Sequence, residues 1–288
     1  MTAPATQTYT QLIVARFLRN RTAFASLAVL SVIMLLAVVG PSTSPWEYDE
    51  IDWDHIAASP GSGEQHWFGT DNVGRDLYVR TFAGARVSLS VALLATAVSV
   101  LIGVPFGAIA GYVGGRTDLL MMRFVDVLYS LPFMFFVILL VVVFGRNIVL
   151  IFIALGAVSW LDLARIVRGQ TLSIKEQPFI EAAVALGVPS HRVVLRHVIP
   201  NLLGPVAIYG TLTIPGVILA ESFISFLGLG VQEPGTSWGV LIAEGTQEME
   251  TAPWMLIFPA SFLATSLFCF NYVGDGLRDA FDPRMDLR

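Results

Sequence analysis

Few residues of this chain are of a type and spacing that could do chemistry. Its 288 residues include four histidines whose spacing does not match that of metal ligands, so no metal site is expected. The single cysteine, Cys269, cannot form an intrachain disulfide and is interpreted as a packing residue. The chain contains no phosphate loop of the form G-x-x-x-x-G-K-[ST] and no evident set of nucleophile, base and oxyanion hole. We therefore do not expect it to be an enzyme.

The stretch EAAVALGVPSHRVVLRHVIPN, residues 181–201, predicts a short helix that needs a packing partner. Pro178 suits its first turn, where a missing N–H costs nothing, and Gly187 can take the positive φ that ends a helix. A helix of about nine residues is marginal by itself, so its apolar face must pack against something. At the spacing i, i+3, i+4 and i+7 that face consists of Phe179, Ala182, Ala183 and Leu186.

A second helix would begin at Pro189 or Ser190 and end at Pro200, which gives the stretch the outline of a DNA-binding helix-turn-helix. A DNA-reading helix needs basic side chains along an exposed face and usually a dimer partner. Nucleic acid is not expected here, because both ends of the stretch continue into apolar segments. Two interpretations stay open: the first helix folds onto its own neighbours, or it inserts into a groove on a cytoplasmic partner, where Glu181 could face a basic group.

The composition places the chain in a membrane. It is 55% hydrophobic and 14% charged with a mean hydropathy of +0.70, whereas soluble domains carry about 25% charged residues. Six uncharged stretches occur, and five of them reach the length of about 20 residues that crosses a bilayer. The fourth, 147–161, reaches it only with its polar edges. Because backbone groups in lipid must bond internally, we expect an all-α integral membrane protein with six transmembrane helices.

The uncharged stretches predict the segment boundaries. An N-terminal tail at 1–21 precedes a first span at 22–40, which we interpret as an uncleaved anchor, and an outer loop with an interfacial segment follows at 41–86. The core at 87–288 then comprises spans at about 87–110, 127–145 and 147–163, an inner loop at 164–201, a span at about 202–220, an outer loop at 221–252, a span at about 253–273 and a tail at 274–288.

The charges predict the orientation of these spans. With the N-terminus inside, 13 of the 17 Lys and Arg residues face the cytoplasm. Because Lys and Arg accumulate in cytoplasmic loops, we expect both termini to be cytoplasmic. Of the 22 Asp and Glu residues 13 then lie outside, so the outer surface carries a net charge of −9 and the inner one +4. An acidic exterior argues against an anionic ligand on that side.

The inner loop resembles the EAA loop of ATP-binding-cassette importer permeases, which reads Glu-Ala-Ala, three residues, Gly, nine residues and Ile-x-Leu-Pro. His197 and Ile199 depart from the end of that motif. Further stretches, among them FGTDNVGRDLYVR at 68–80 and ESFISFLGLGVQEPGTSWG at 221–239, are similar to the C-type permeases of oligopeptide and dipeptide importers. The residues that match the EAA motif are Glu181, Ala182, Ala183, Gly187 and Pro200.

The resemblance implies a type I importer permease fold in a bacterial inner membrane, with a coupling helix at about 177–187 that docks on an ATPase. Its implied coupling residues are Phe179, Glu181, Ala182, Ala183, Leu186 and Gly187. The implied partners are a second homologous permease, two cytoplasmic ATP-binding subunits that hold the ATP and Mg²⁺, an outer peptide-binding protein, the peptide and the lipid bilayer. No cofactor is expected in this chain.

Two alternative functions stay open. The same architecture could import dipeptides, nickel complexes or another small solute, and the sequence does not discriminate these cargoes. An ion-driven secondary transporter is a different class, which predicts ionisable residues at the midplane and inverted repeats. The central parts of the spans carry no charge and no convincing repeat is evident, so this class is disfavoured.

Other residues have roles suggested by position alone. Gly103, Gly107 and Gly111 have the four-residue spacing of a helix-packing face, or they ease a bend near Pro105. Glu221 follows an apolar stretch, where a carboxylate usually faces protein or a wet cavity, so we expect it at the translocation path or at the water interface. We expect the acidic residues at the inner ends of the third and fourth spans, Asp126 and Asp162, to pair with Arg123 or Arg165 rather than to contact substrate.

Overall fold

The computed structural model describes residues 9–62, 65–145 and 148–281, and the named elements of these residues are all helices. The expected outermost parts of both tails and the junction at 146–147 lie outside the described residues. The elements are α1 Tyr9–Arg19, α2 Arg21–Val39, a 3-10 turn Gly40–Ser42, α3 Leu77–Val113, α4 Gly115–Tyr129, α5 Phe133–Phe144, α6 Ile148–Lys175, α7 Pro178–Ala185, α8 Ser190–Val193, a π-helical turn Val194–Val198, α9 Ile199–Phe226, α10 Trp238–Gln247 and α11 Trp254–Phe281.

The helices confirm the expected all-α membrane class. Four stretches of the described residues are long and apolar enough to cross a membrane: Arg21–Ser42, Leu77–Val113, Ser190–Phe226 and Trp254–Phe281. A fifth crossing results if α4 and α5, which meet at an angle of 78°, cross as a pair. The number of six spans stays a prediction.

The expected third span at about 127–145 is not one straight helix. Helix α4 ends at Tyr129, and α5 begins only after Pro132. The ring of a proline disfavours the helical region for the residue before it, so Leu131 leaves the helix. Hydropathy alone does not register this break.

Two helices are longer than the expected spans. Helix α3 begins at Leu77, not at about 87, because the Asp76 carboxylate caps it by accepting a 2.8 Å hydrogen bond from the Val79 N–H. Helix α6 continues past 163 to Lys175, because its second half packs along α3. The inner loop therefore contains far less irregular chain than the hydropathy pattern predicts.

The expected end of the second short helix at Pro200 is wrong. Helix α8 passes through the π-helical turn into α9, and Ser190–Phe226 is one continuous helical stretch. The N–H of Ile199 bonds to the carbonyl of Val194, five residues back, in this wider turn. Pro200 then stands at the start of α9, where its missing N–H is tolerated.

The largest buried cluster joins α2, α3, α9 and α11, and includes Leu30, Leu89, Ile218 and Phe270. Such apolar layers suit helices that are held together by close packing in a bilayer. A second cluster lies between α3, α6, α7 and the start of α9, and it anchors the short inner helices to the long ones.

The three spaced glycines lie where α3 touches α6. A methyl group at Gly103 would lie 3.0 Å from the carbonyl oxygen of Trp160, and one at Gly107 would overlap the carbonyl oxygen of Ala164. Gly111 meets α6 in the same way one turn further along. Small residues thus let the two backbones approach closely, as a packing face requires. The easing of a bend would not explain this contact.

We expect Gly107→Ala to destabilise the protein by about 1–3 kcal/mol, because the added methyl group overpacks the contact between α3 and α6. Gly169→Ala is the matched control, since a Cβ there meets nothing within 4 Å. The apparent Tm of each detergent-solubilised variant measures the effect. Equal melting temperatures for the two variants would contradict the close contact.

Candidate functional site

Helix α7 is bounded by a proline and a glycine. Pro178 is its first residue, and Gly187, just beyond its end, has a φ of +78°. The N–H of Gly187 bonds to the carbonyl of Val184 at 2.9 Å, and the N–H of Val188 to that of Ala183 at 3.1 Å. This is the pattern of a Schellman motif, whose positive φ favours glycine.

The inner face of α7 packs on the chain's own helices. Ile180 is 2% exposed and Ala183 is 7% exposed, and Ile180 belongs to a cluster that includes Leu163 and Val167 of α6. The expected stripe therefore does not form one partner-facing surface, since Ala183 points inward. Helix α7 has only eight residues and carries apolar side chains on most sides. Periodicity alone therefore does not determine which side packs inward.

The outer face of α7 is exposed and largely apolar. It consists of Phe179, Glu181, Ala182, Val184, Leu186 and the adjoining Gly187. We call it the outer face of α7 throughout, meaning the side turned away from the chain's own helices and not the outer side of the membrane. Leu186 is 84% exposed, a far larger exposed fraction than that of a leucine in a protein core. An exposed apolar face on a short helix suits insertion into a groove on another protein.

Polar contacts fix the base of α7 to the long helices. Lys175, at the end of α6, donates a 2.7 Å hydrogen bond to the carbonyl of Tyr112 at the end of α3. Arg168 of α6 binds both carboxylate oxygens of Asp118 in α4, at 2.5 and 2.6 Å. A bidentate pair of this kind restricts both side chains, so α3, α4 and α6 are joined just before α7 begins.

The two acidic residues at the expected inner ends of the third and fourth spans differ. Asp126 binds Arg165 at 2.8 Å, as expected, and the Arg165 guanidinium lies 4.3 Å from the centre of the Tyr129 ring. Asp162 was expected to pair in the same way. It has no hydrogen bond or ion pair to any residue within the described ranges, and Arg165 pairs with Asp126 instead.

Glu221 is 1% exposed and binds serines. Its carboxylate accepts hydrogen bonds from Ser88 of α3 at 2.9 Å and from Ser225 of α9 at 2.7 Å. The Ser88 hydroxyl oxygen also accepts a 3.2 Å hydrogen bond from the backbone N–H of Trp238, which links α10 to this site. A cavity of about 630 Å³ is lined by Ser222 and other neighbours of Glu221, but not by Glu221 itself. In this structure Glu221 fastens three helices, and its role at a translocation path stays a prediction.

A buried charge cluster joins the first outer segment to α10. Asp71 binds Arg75 at 2.7 Å and Arg80 at 3.1 Å, and Arg80 also binds Glu244 at 3.1 Å. Burial raises the pKa of Glu244, against the lowering effect of both arginines. The sequence reasoning missed this cluster, although its signal lies in the GTDNVGRD stretch.

A second cluster in the outer segment brings histidines together. His66 is fully buried, with Nδ1 2.8 Å from Asp76 and Nε2 3.3 Å from Asp52, and Trp46 stacks on its ring at 4.6 Å. His55 also contacts Asp52, and the donor atoms of Asp52, His55 and His66 lie within 4.8 Å of one another. Sequence spacing does not reveal this grouping, which a chain reversal creates. The expectation that no metal binds stays a prediction.

Comparisons with known proteins agree with the sequence resemblance. Residues 103–287 match the family model described as binding-protein-dependent transport system inner membrane component, and residues 8–60 match that of the N-terminal TM domain of oligopeptide transport permease C. The chain is 58% identical to the oligopeptide transport system permease protein OppC of Haemophilus influenzae, over 93% of this chain and 86% of the relative. It is 54% identical to OppC of Escherichia coli, over 93% and 89%. It is 42% identical to the dipeptide transport system permease protein DppC of Bacillus subtilis, over 96% and 86%.

We expect Arg80→Met to destabilise the protein by about 3 kcal/mol, because it removes one of the two buried arginines of Asp71 and leaves the Glu244 carboxylate with only the more distant Arg75, at 3.8 Å. Arg86→Met is the matched control on the same helix, since Arg86 is exposed and, among the described residues, binds only the carbonyls of Ala37 and Val38. The apparent Tm of each variant in detergent measures the difference. A loss no larger for Arg80→Met than for the control would show that the buried cluster does not stabilise the fold.

Proposed function

Because the chain belongs to the family of binding-protein-dependent transport system inner membrane components, we propose that it is the permease subunit of an ATP-driven importer of oligopeptides. Relatives with 58% and 54% identity are named oligopeptide permeases, whereas the dipeptide permease is 42% identical. The names of the relatives at 58% and 54% identity support oligopeptide cargo, whereas the OppC and DppC of Bacillus subtilis, both 42% identical, do not separate it from dipeptide cargo. The chain is a multi-pass inner-membrane protein, and its charge distribution supports cytoplasmic termini.

The proposed assembly contains a second homologous permease, two cytoplasmic ATP-binding subunits and an outer binding protein that delivers the peptide. The ATP-binding subunits would hold ATP and Mg²⁺, and this chain would be their non-catalytic membrane partner. The single observation that carries this proposal is the outer face of α7, which presents Phe179 and Leu186 to a partner while Ile180 is anchored inside.

The anchoring of α7 suits it to transmit motion. If the ATP-binding subunits close on ATP and displace the outer face of α7, Ile180 moves the helices on which it packs. Lys175 and Arg168 join this region to α3 and α4, so the displacement is shared by several long helices. Such a cycle requires ATP to favour one of two conformations through a difference in affinity.

The test of the proposed function is peptide-stimulated ATP hydrolysis and peptide uptake by the reconstituted complex. We expect both activities with the unsubstituted chain and at least a tenfold loss of coupled hydrolysis with Gly187→Val. The β-branched side chain cannot adopt the φ of +78° without strain of about 1–3 kcal/mol.

Gly187→Asn is the matched control, because asparagine tolerates positive φ and no atom lies within 4 Å of a Cβ at this position. It should retain most of the coupled hydrolysis. A complex that neither hydrolyses ATP in response to peptide nor accumulates peptide would contradict the proposed function. Equal activity of the valine and asparagine variants would show that the turn after α7 is not needed for coupling.

A further inference from the structure

Helix α6 carries one acidic side chain in an otherwise buried part of its length. Asp162 is exposed, whereas Trp160, Leu161, Leu163 and Ala164 on either side of it are buried. It follows an uncharged segment, 148–161, and lies near the middle of the helix. The side chain therefore projects from the packed side of α6 toward the surface that the rest of this chain does not cover.

The cations nearest to Asp162 along the chain are engaged elsewhere. Arg165 binds Asp126 and covers the Tyr129 ring, and Arg168 is held by both oxygens of Asp118. A carboxylate next to the apolar part of a span is costly without a partner, and such residues usually face a water-filled cavity or a substrate pathway. Asp162 thus offers an acceptor that the described part of the chain leaves unused.

Asp162 lines two cavities, which lie on either side of it. One, of about 390 Å³, lies between α6 and the link from α4 to α5, and includes Tyr129 and Ser130. The other, of about 330 Å³, lies between α6 and α9, and includes Thr213 and Gly216. Ser159 lines both cavities, one turn before Asp162. Each volume is in the range of small-molecule sites, which are about 300–1,000 Å³.

We propose that Asp162 binds an ammonium group of the peptide while the peptide passes between α6 and α9. This inference rests on the proposed function. A peptide carries an ammonium group at its free N-terminus and on each lysine, and both have the charge and donors that a carboxylate binds best. The hydroxyl of Ser159 donates to the carbonyl of Leu155 at 2.8 Å, and its oxygen can accept a hydrogen bond from an N–H of the peptide.

The test compares Asp162→Asn with the unsubstituted chain in the complete reconstituted importer. The probes are four tetrapeptides, Ala-Xaa-Ala-Ala with Xaa as lysine or norleucine, each with a free or an acetylated N-terminus. Uptake is measured at saturating binding protein, and each rate is divided by that of the unsubstituted complex. Asp126→Asn is the matched control, because it removes a carboxylate that is already paired with Arg165.

We expect Asp162→Asn to lower uptake by about tenfold for the peptides that carry the bound ammonium group, and not for the acetylated norleucine peptide. A loss confined to free N-termini identifies the terminal amine, and a loss confined to lysine peptides identifies the side chain. An equal loss for all four peptides, no loss, or the same pattern with Asp126→Asn would overturn the inference. If the unsubstituted complex takes up no peptide, the proposed function fails as well.

Discussion

The contact between α3 and α6 determines how the inner part of this protein is built. Three glycines bring the two backbones together, and this contact extends α6 to Lys175, where a hydrogen bond to Tyr112 ties its end to α3. Helix α7 follows directly and has only eight residues. A helix of that length is not stable by itself, so its position depends on the helices beneath it. The contact thus holds in place the short helix for which we propose a coupling role.

Polar groups among the long helices serve two different purposes. Glu221 and Arg80 are almost fully buried and bound by partners from other helices, so each stabilises a junction. Buried charged groups of this kind need bonding partners, because removal of one partner leaves the other buried charge unpaired. Asp162 contrasts with both, because it faces two cavities and has no bond to the described residues. Burial and bonding, not charge alone, distinguish these two structural residues from Asp162, for which we propose a role in transport.

Much of this architecture follows from the sequence, and the failures have physical causes. Charge spacing and the EAA resemblance predict the helical membrane class, and Pro178 and Gly187 predict the bounds of α7. Hydropathy places the helix ends of α3 and α6 too early or too late, since capping and packing extend helices beyond their apolar parts. Pro200 is misleading because the preceding π-helical turn accommodates it.

The coupling and outer sites show the same limit on sequence reasoning. Periodicity identifies α7 but not its inward register, so the burial of Ala183 is unexpected. The pairing of Arg80 with Glu244 joins residues far apart in the chain, and no local spacing predicts it. Contacts of this kind depend on the tertiary fold, which local patterns in one sequence do not predict to side-chain precision.

The most direct measurement is a photo-crosslink from the outer face of α7 in the assembled importer. Leu186→Cys would carry a photoreactive maleimide, with the buried Cys269 protected from labelling. Trp53→Cys, 75% exposed in the outer segment, is the control on the opposite side of the membrane. The account predicts a crosslink to an ATP-binding subunit from position 186 and none from position 53. Crosslinks from position 186 that stay within this chain, or an ATP-binding subunit captured from position 53, would contradict it.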